Sequence, residues 1–457
     1  MDIAVVLLTA GQGTRMESAY PKVLHGLCGK PMVGYIADAA AAVKPKHFVV
    51  VVNPSVSEEI KDELPAKAQV VVQEEALGTA HAVMTALPAL SGFMGTVLVL
   101  CGDTPLITGD TLKELVRTHT GRQAAATVLT ARVDDPEGYG RIIRGEGGVK
   151  KIVEDREASQ TELCIREVNT GTYCFDISKL RDALNEVTRQ NLEKEYYLTD
   201  VVGIFFASKE KVVPCQVVDP TETLGINSRV QLADAEMIMQ ARINRGHMKT
   251  GVTLIHPMLT YIDADVVIGK DTVIYPNTFL HGKTKVGEHC LLGPSSRIDN
   301  SVLGDGCEVT FSVVKEAKLA AGVKIGPFAH VRSGTVVDEN GKVGSFVEIK
   351  QTTVGRNSKV PHLAYVGDAV IGTDSNVGAG TITCNFDGEK KHQTVIGNRA
   401  FIGSDTILVA PVRIGDDAVT GAGSTITKSV PDKGLGIERA DQRNIEDWPG
   451  PGKKKGG

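Results

Sequence analysis

The second half of the chain repeats an aliphatic residue followed by glycine or a small residue at every sixth position. Ile396-Gly397, Ile402-Gly403 and Ile414-Gly415 keep this step or a multiple of it, and Ile325-Gly326 and Val343-Gly344 lie eighteen residues apart. An α-helix would carry such a repeat around all of its faces, because it has about 3.6 residues per turn. A parallel β-helix keeps the aliphatic residue inside, since three hexapeptides close one triangular coil. The pattern therefore predicts a solenoid.

This repeat extends from about residue 251 to residue 430 and predicts about ten coils of 18 residues. Its spacing slips near residues 303, 354, 371 and 396, and a slip marks a point where a loop leaves the coil. The segment 385–392 is polar and contains glycine and lysine, so we expect a loop there. Val360 and Val366 are predicted to point inward with Val354, which places His362 on the outer surface.

The first half lacks the six-residue step and alternates short apolar runs with segments of helical length. This pattern predicts a Rossmann-like, doubly wound α/β domain, in which ligands bind at the carboxyl ends of the strands. The predicted strands are Ile3–Leu8, Phe48–Val52, Val70–Val72 and Val97–Leu100, and two of the predicted helices are Met32–Val43 and Thr79–Leu87.

Between the two halves lies a segment with no internal proline and one apolar stripe, formed by Leu232, Ala235, Met239 and Ile243. The spacing of three to four residues predicts a linker helix over residues 229–250. The predicted domains are therefore 1–228, the linker 229–250, and the β-helix domain 251–457. The tail after Trp448 is rich in proline, glycine and lysine, and we expect it to be disordered.

Composition excludes some classes of protein. A net charge of -5 and a pI near 6.2 argue against nucleic acid or an anionic membrane as a partner. The eight cysteines contain no Cys-x-x-Cys pair, which argues against a zinc ribbon, a redox motif or a disulfide framework. The first residues do not resemble a signal peptide, and no apolar run approaches the roughly 20 residues that span a bilayer. We expect a soluble cytoplasmic protein with mostly buried thiols.

A glycine-rich loop follows the first predicted strand. Gly11 and Gly13 let the backbone approach a phosphate, and Arg15 and Lys22 add positive charge. The loop lacks the third glycine of a dinucleotide fingerprint and the Gly-Lys-Ser/Thr ending of a P-loop, so neither of those sites is predicted. Asp103 follows the strand that ends near Leu100, and one carboxylate of this kind suits Mg²⁺ bound together with phosphates.

The full string Gly11-Gln12-Gly13-Thr14-Arg15-Met16 followed by Pro21-Lys22 resembles the signature of sugar-phosphate nucleotidyltransferases. Further strings follow in the order that this family shows. Together they resemble the uridylyltransferase half of the bifunctional GlmU family over about 220 residues. These strings are Gln73 with Leu77-Gly78-Thr79-Ala80-His81, Cys101-Gly102-Asp103-Thr104-Pro105, Gly138-Tyr139-Gly140-Arg141, Glu154, Val168-Asn169-Thr170-Gly171 and Gly225-Ile226-Asn227.

The resemblance implies roles in uridylyl transfer from UTP to N-acetylglucosamine 1-phosphate. Arg15 and Lys22 would neutralise phosphate charge, and Asp103 and Asn227 would hold Mg²⁺. The residues expected to bind UTP or its sugar-nucleotide product are Leu8, Thr9, Ala10, Gly11, Lys22, Gln73, Gly78, Thr79, Cys101, Gly102, Asp103, Gly140, Glu154, Asn169 and Asn227.

Three positions depart from the family pattern. Cys101 stands where the family often has Tyr, so a base or ribose contact through that side chain is in doubt, whereas a backbone contact would persist. Gln12 replaces a common Lys, so one phosphate-facing cation is absent. Phe386 replaces a Tyr in the second half, where stacking would remain but a hydroxyl contact would be lost.

His362 and its neighbours resemble the acetyltransferase half of the same family. The resemblance implies that His362 is the general base for acetyl transfer from acetyl-CoA to glucosamine 1-phosphate, with Glu348 orienting its ring. An imidazole suits this role because its ordinary pKa lies near neutral pH. The expected sugar-phosphate residues are Arg332, Lys350, Tyr365, Asn376 and Lys391, and the expected acetyl-CoA residues are Ala379, Asn385, Phe386, Ser404, Ala422 and Arg439.

The whole resemblance implies a left-handed β-helix, a homotrimer, and the two-step synthesis of UDP-N-acetylglucosamine, a precursor of peptidoglycan and lipopolysaccharide. Two alternatives remain open at this point. A single-activity sugar nucleotidyltransferase with a structural solenoid, as in glucose-1-phosphate adenylyltransferases, would not need Arg332, Lys350, His362 and Asn376 together. A non-enzymatic regulatory subunit, as among translation-factor exchange subunits, would be expected to lose the phosphate and metal positions.

Overall fold

The computed structural model describes residues 2–11, 13–55, 59–448 and 451. The chain divides into two compact units, Met1–Gln240 and Ala241–Gly457, which we call unit 1 and unit 2. The division falls inside a helix that begins at Arg229 and ends at Lys249. Gln12 and most of the tail after Trp448 lie outside the described residues. The domain limits given by the sequence stay predictions.

Unit 1 contains strands and helices in alternation. Its strands are β1 (Ile3–Leu8), β2 (Gly26–Leu27), β3 (Lys30–Pro31), β4 (His47–Val52), β5 (Gln69–Val72), β6 (Thr96–Cys101), β7 (Ala126–Arg132), β8 (Arg141–Gly145), β9 (Gly148–Val153), β10 (Glu167–Asp176) and β11 (Val212–Gln216). Its helices are α1 (Met32–Ala41), α2 (Thr79–Ala86), α3 (Gly109–Arg122), α4 (Gln160–Leu163), α5 (Ile177–Leu184), α6 (Asp200–Ala207) and the start of α7 (Arg229–Lys249).

The main sheet of unit 1 has the strand order β11-β7-β10-β6-β1-β4-β5, with β8 and β9 branching from β10. Successive residues of β1 face opposite sides: Ala4 packs in one apolar core with α2, α5 and α6, and Val5 packs in the other with α1 and α3. A sheet covered by helices on both faces is the doubly wound arrangement predicted from the continuous apolar runs. The four predicted strands and the two predicted helices are confirmed within one or two residues at their ends.

Along the main strand order, one strand runs against the parallel direction that the sequence predicts. β10 is antiparallel to both β6 and β7, and its register shifts between Asn169 and Tyr173. A buried strand has the same apolar pattern in either direction, so the sequence did not distinguish the two. On its other side β10 pairs with β8, and there the Asn169 N–H donates to the carbonyl of Gly140 at 2.8 Å.

Unit 2 consists almost entirely of short strands. In chain order they are β12 (Thr253–Leu254), β13 (Thr260–Ile262), β14 (Val267–Ile268), β15 (Val273–Ile274), β16 (Thr278–His281), β17 (Lys285–Val286), β18 (Leu291–Leu292), β19 (Arg297–Asp299), β20 (Val302–Leu303), β21 (Glu308–Val309), β22 (Val313–Lys315), β23 (Lys318–Leu319), β24 (Lys324–Ile325), β25 (His330–Val331), β26 (Val336–Val337), β27 (Lys342–Ser345), β28 (Glu348–Lys350), β29 (Thr353–Val354), β30 (Lys359–His362), β31 (Tyr365–Gly367), β32 (Ala369–Ile371), β33 (Asn376–Val377), β34 (Ile382–Cys384), β35 (Thr394–Ile396), β36 (Phe401–Ile402), β37 (Ile407–Val409), β38 (Val412–Ile414), β39 (Val419–Thr420), β40 (Thr425–Ile426) and β41 (Leu435–Gly436).

From β12 to β40, every third strand joins the same parallel sheet, and β41 then pairs with β39. In the described residues the first sheet has eleven strands, from β12 to β41. The second sheet has ten strands, from β13 to β40, and the third has nine, from β14 to β38. One aliphatic side chain per strand points into the prism between the sheets, and Ile274, Leu292, Val309, Ile325 and Val343 follow one another there, all buried. This is the left-handed β-helix of hexapeptide repeats, and the predicted number of coils is confirmed.

The slips of the repeat are visible in the strand register. Val273 lies opposite Leu291, eighteen residues on, but Lys285 lies opposite Val302, which is seventeen residues on. Ala369 lies opposite Thr394, a step of twenty-five, so the slips near 371 and 396 are the two ends of one insertion. The inserted residues form the predicted loop between β34 and β35, and the slips near 303 and 354 are confirmed.

Coils of sixteen residues near Val313 were not predicted. They lose residues at the corners, where no side chain needs to point inward, so the apolar pattern did not reveal them. In α7, Ala235 and Met239 of the predicted stripe are buried. Among the residues described, none of the helices is both long enough and apolar enough to cross a membrane.

Candidate functional sites

The strands β1, β4, β5 and β6 are parallel and neighbouring, so their carboxyl ends meet at one edge of the sheet. The residues that follow these ends are tied together by the backbone. The Thr9 N–H donates to Val51, and the Gln73 N–H donates to Val52, both at 2.8 Å. The Gly102 N–H donates to the carbonyl of Leu8, also at 2.8 Å. The phosphate-loop segment is thereby fixed against the other two segments.

A pocket of about 440 Å³ opens at this edge. It is lined by ten of the residues predicted to bind the nucleotide, namely Leu8, Thr9, Ala10, Gly11, Lys22, Gln73, Gly78, Thr79, Cys101 and Asp103. Gly102, Gly140, Glu154, Asn169, Asn227 and Arg15 are not part of this lining. The lining also includes Gly13 of the predicted phosphate loop, together with Thr14, Val23, Ala76, Ala82 and Glu195, for which the sequence predicted no role in the site.

Lys22 joins the two predicted metal ligands. Its Nζ donates to Asp103 Oδ2 at 2.6 Å and to Asn227 Oδ1 at 2.9 Å. The Ile226 N–H also donates to the backbone carbonyl of Asp103 at 2.8 Å, which holds the two segments together. A carboxylate oxygen and an amide oxygen therefore converge on one positive charge. This donor set fits Mg²⁺, which is usually held by one or two protein oxygens together with phosphates and water.

Arg15 lies on the rim of this region. It belongs to a single 3₁₀ turn, Thr14–Met16, and its side chain is exposed. No described residue forms an ion pair with Arg15, so its guanidinium is available to a ligand.

Gly78 shapes the far wall of the pocket. Its φ is 107°, a conformation that glycine adopts readily, and a Cβ there would lie 2.6 Å from the carbonyl oxygen of Tyr196. The segment carrying Tyr196 runs beside Leu77 and Thr79, because the backbone N–H of Tyr196 donates to the Leu77 carbonyl at 2.8 Å and the Leu198 N–H donates to Thr79 Oγ1 at 3.0 Å. This second wall was missed, and the acidic and aromatic run 193–200 was its only sequence signal.

Gly140, Glu154 and Asn169 form a separate cluster. Glu154 Oε1 accepts from Thr199 Oγ1 at 2.9 Å, and burial raises the pKa of the Glu154 carboxyl. The Gly171 N–H donates to Asn169 Oδ1 at 3.2 Å. A Cβ on Gly140 would lie 3.5 Å from both Asn169 Cβ and Glu154 Oε2, so the three predicted residues are neighbours.

Cys101 connects this cluster with the pocket. Its thiol donates to the Gly171 carbonyl at 3.3 Å, and burial raises its pKa to about 12. The side chain is therefore a neutral thiol occupied by a backbone acceptor. In this chain the Tyr-to-Cys departure leaves position 101 without a free polar side chain.

In unit 2, a column of corners between the first and second sheets carries three of the predicted acetyl-CoA residues. The Gly380 N–H donates to Leu363, next to His362, at 2.9 Å. One coil further, the backbone N–H of Asp405 donates to the Ala379 carbonyl at 2.7 Å, and one further again, the Gly423 N–H donates to the Ser404 carbonyl at 2.8 Å. Ala379, Ser404 and Ala422 therefore stack above the corner that holds His362.

His362 ends β30 and its side chain is exposed. No hydrogen bond joins its imidazole to any residue that the structure describes. Glu348, which we expected to orient this ring, instead accepts from Arg332 Nη1 at 2.7 Å. Arg332 follows a strand of the second sheet, and Glu348 lies on the neighbouring strand one coil further. The Arg332 guanidinium therefore reaches the Glu348 carboxylate and pairs with it.

Positive charges gather on the second sheet beside Tyr365. The pKa of Lys350 is lowered, first by its close approach to Lys391, then by desolvation and by the positive charges of Lys391 and Arg332. Lys350 lies opposite Gly367 in the register, and a Cβ on Gly367 would lie 2.7 Å from the Tyr365 hydroxyl. Four of the five predicted sugar-phosphate residues are therefore neighbours.

The fifth residue, Asn376, lies on the first sheet, directly opposite Lys359 in the strand register. Lys359 begins the strand that ends at His362, so Asn376 sits one coil above that strand.

The inserted loop contributes Asn385, whose side chain donates to Asp368, an acid that the sequence did not single out. Phe386 is exposed and pairs with Lys391 in an isolated bridge. Within the loop, Asp387 accepts from two backbone N–H groups and from His392 Nε2 at 2.6 Å, and these bonds lower the pKa of its carboxyl.

Arg439 follows the last coil and completes the predicted acetyl-CoA set. Its Nη1 donates to the Ala422 carbonyl at 3.1 Å, so this guanidinium lies at the end of the corner column.

Two family descriptions match the chain. "Nucleotidyl transferase" covers residues 4–218, and "Bacterial transferase hexapeptide (six repeats)" covers residues 393–428. The first falls on unit 1 and the second on the coils that carry Ser404 and Ala422.

Curated relatives match over nearly the full length. The "Bifunctional protein GlmU" of Shouchella clausii (strain KSM-K16) is 50% identical over 97% of this chain and 98% of its own length. That of Brevibacillus brevis (strain 47 / JCM 6285 / NBRC 100599) is 48% identical over 99% of this chain and 98% of its own length. That of Caldanaerobacter subterraneus subsp. tengcongensis is 50% identical over 98% and 97%, respectively. Similarity of this extent covers both units.

Proposed function

The chain belongs to the GlmU family of bifunctional enzymes, and from that membership we propose which of its residues and ligands carry the two reactions. It is a nucleotidyltransferase and an acetyltransferase in the synthesis of UDP-N-acetylglucosamine. Each of the two compact units would hold one site, the nucleotide site in unit 1 and the acetyl site in unit 2.

In unit 1, UTP binds in the pocket at the carboxyl edge of the sheet. The observation that carries this assignment is the convergence of Lys22, Asp103 and Asn227 at a pocket lined by ten of the predicted residues. Uridine lies along the Leu8 to Gly11 segment and against Gln73, Gly78 and Thr79. The sugar phosphate meets Gly140, Glu154 and Asn169, since these three residues are neighbours.

The chemistry of this site is in-line displacement. A phosphate oxygen of N-acetylglucosamine 1-phosphate forms a bond to the α-phosphorus of UTP, and pyrophosphate leaves. The nucleophile is already an anion, so no general base is required, and the protein contributes positioning and charge neutralisation. Arg15 is exposed and Lys22 lines the pocket, so both can meet phosphate oxygens.

Asp103 and Asn227 are the residues that would hold Mg²⁺. When bound, the ion supplies positive charge against the phosphates. Lys22 also neutralises Asp103 directly, and its ammonium is positioned by the two oxygens that accept its hydrogen bonds.

In unit 2, His362 acts as the general base of acetyl transfer. It takes a proton from the amine of glucosamine 1-phosphate while nitrogen bonds to the thioester carbon and the thiolate of coenzyme A leaves. The observation that supports this role is the exposed imidazole, to which no described residue is hydrogen-bonded, at the foot of the column of corners that holds Ala379, Ser404 and Ala422. Arg332, Lys350 and Lys391 form the phosphate-binding group, with Tyr365 and Asn376 on the sugar.

Acetyl-CoA lies along that column. Ala379, Ser404 and Ala422 are small and leave the backbone accessible, while Asn385 and Phe386 reach it from the inserted loop. Arg439 lies at the end of the column and would meet a phosphate of the coenzyme or a neighbouring subunit.

We further propose that the chain forms a homotrimer in the cytoplasm. Hexapeptide β-helices of this class pack as trimers with shared active sites. Sedimentation equilibrium should give three times the chain mass of 48.6 kDa, and a monomer at micromolar concentration would contradict the trimer.

One incubation tests both activities. The protein is mixed with glucosamine 1-phosphate, acetyl-CoA, UTP and Mg²⁺, and the release of thiol and of pyrophosphate is followed separately. Thiol release without UTP identifies the acetyl reaction. Pyrophosphate release with N-acetylglucosamine 1-phosphate and without acetyl-CoA identifies the uridylyl reaction, and the absence of either one removes the corresponding assignment.

A further inference from the structure

Gln73 is held in one orientation by a backbone acceptor. Its side-chain Nε2 donates to the carbonyl of Gly78 at 3.3 Å. A carbonyl oxygen can only accept, so the end of the amide that faces Gly78 must be the NH₂ group. This contact settles which end of the Gln73 amide is nitrogen and which is oxygen.

The second N–H of this amide goes to a histidine. Gln73 Nε2 lies 2.9 Å from His81 Nδ1, one turn into α2. Because the amide nitrogen has no lone pair to offer, Nδ1 must be the acceptor, and the proton of the neutral imidazole must lie on Nε2. The ring of His81 is stacked on Tyr196, with 6.3 Å between the ring centroids and 27° between the planes. His81 is thus fixed as an acceptor toward Gln73.

These two contacts use both N–H groups and leave only the oxygen for a ligand. No described residue donates to Gln73 Oε1, and Gln73 lines the nucleotide pocket. His81 is absent from the residues that line this pocket. Gln73 is 5% exposed, and an acceptor oxygen in this pocket wall favours a base that presents an N–H, as uracil does at N3, and opposes cytosine, whose N3 is an acceptor.

We propose that His81 is a positioning residue that sets base specificity by holding the Gln73 amide with its oxygen toward the nucleotide. This inference rests on the proposed nucleotide site and adds to it a residue that acts only through Gln73. Without an acceptor at position 81, the amide loses one of the two contacts that oppose its rotation, and its NH₂ group can then turn to the cytosine N3.

The test compares UTP with CTP in wild type, His81→Leu and His81→Asn. Pyrophosphate release is measured with N-acetylglucosamine 1-phosphate and Mg²⁺, and the ratio of kcat/KM for the two nucleotides is the readout. This ratio does not depend on the fraction of folded protein. We expect His81→Leu to lower the UTP preference at least about tenfold, mainly through KM for UTP. His81→Asn offers an amide oxygen near the position of Nδ1 and should restore most of the preference.

His47→Leu is the matched control, because His47 is an exposed histidine of the same unit and should keep the wild-type ratio. An unchanged ratio in His81→Leu, or equal losses with both nucleotides, would overturn the inference, as would failure of His81→Asn to restore it. If turnover is too low in a variant, equilibrium binding of UTP and CTP gives the same ratio. A wild type that releases no pyrophosphate from any nucleotide would instead overturn the proposed nucleotide site.

Discussion

The ammonium nitrogen of Lys22 lies 2.6 Å from Oδ2 of Asp103, although 81 residues separate them in the chain. The same nitrogen lies 2.9 Å from Oδ1 of Asn227, another 124 residues further along. The side chains of Lys22 and Asp103 are mostly buried, with 10% and 25% of their surface exposed. The attraction between two charges is stronger in such surroundings than in water, so loss of one partner should have a large effect.

Asp103→Asn should lower uridylyl transfer by about a hundredfold or more, because the substitution removes the negative charge that faces Lys22 and the proposed metal. Pyrophosphate release at saturating UTP measures this loss, and thiol release from acetyl-CoA should be unchanged. Asp110→Asn is the control, since Asp110 is an exposed acid at the start of α3 that pairs only with Lys113 among the described residues. Equal loss of both activities in Asp103→Asn would contradict two independent sites.

Removal of divalent cations should separate the two reactions. With excess EDTA we expect pyrophosphate release to stop, because the phosphates would then face the Asp103 carboxylate with only Lys22 and Arg15 left to neutralise their charge. Thiol release should continue, since no metal is assigned to the acetyl site. Added Mg²⁺ should restore the first reaction, and a chelator-sensitive acetyl transfer would show that the assignment of the metal to unit 1 alone is wrong.

His362→Asn should reduce acetyl transfer by about 10²- to 10⁴-fold, because the side chain loses the basic nitrogen that receives the amine proton. Uridylyl transfer to N-acetylglucosamine 1-phosphate should keep its wild-type rate. His289→Asn makes the same change at an exposed corner of an earlier coil and should leave both rates intact. Wild-type thiol release in His362→Asn would exclude His362 as the base.

Gly78→Ala should weaken UTP binding and destabilise unit 1. The added Cβ would lie 2.6 Å from the Tyr196 carbonyl oxygen, and the segment on which Tyr196 lies forms the pocket wall. Gly92→Ala is the control. Gly92 also has a positive φ, 73°, but a Cβ there would have no atom within 4 Å. We expect Gly92→Ala to cost about 1 kcal/mol and Gly78→Ala about 2 kcal/mol more, with a raised KM for UTP only in the latter. Equal costs would mean that the clash is relieved by a shift of the wall.

His119 should make unit 1 less stable in acid. Burial lowers the pKa of His119 from its ordinary 6.5 to about 4, and Asp176 opposes this only in part. The neutral ring is favoured in the fold, so its contribution is complete above about pH 6.5 and is lost as the pH falls from about 6.5 to 4, on the order of 3 kcal/mol. Hydrogen exchange of a peptide covering residues 112–132 at pH 7 and pH 4.5 measures the opening free energy.

His119→Gln should flatten this dependence, because the amide can still bond to Thr127 Oγ1, which lies 3.0 Å from Nδ1 in the wild type, and does not titrate. His47→Gln, an exposed histidine of the same unit, should behave as the wild type. An unchanged slope in His119→Gln would assign the acid sensitivity to other groups.

The sequence by itself determined the two architectures and most of the nucleotide pocket. The inward positions of the coils and the buried strands are set by the local pattern of apolar and polar residues. This pattern can be read from the sequence without knowledge of any tertiary contact. The pocket followed because parallel strands end at one edge, so residues that come directly after strands, such as Thr9, Gln73 and Gly102, had to meet.

Only the tertiary structure decided which side chains pair. Glu348 was expected to orient the ring of His362, but its carboxylate accepts a hydrogen bond from Arg332. Glu195 and Tyr196 form one wall of the pocket, and their segment contains no motif for binding phosphate or metal. The direction of β10 and the orientation of the Gln73 amide also stayed undetermined by the chain alone. Burial depends on local pattern, whereas a hydrogen bond or ion pair depends on distances of a few ångströms between elements, and those are set only when the elements pack.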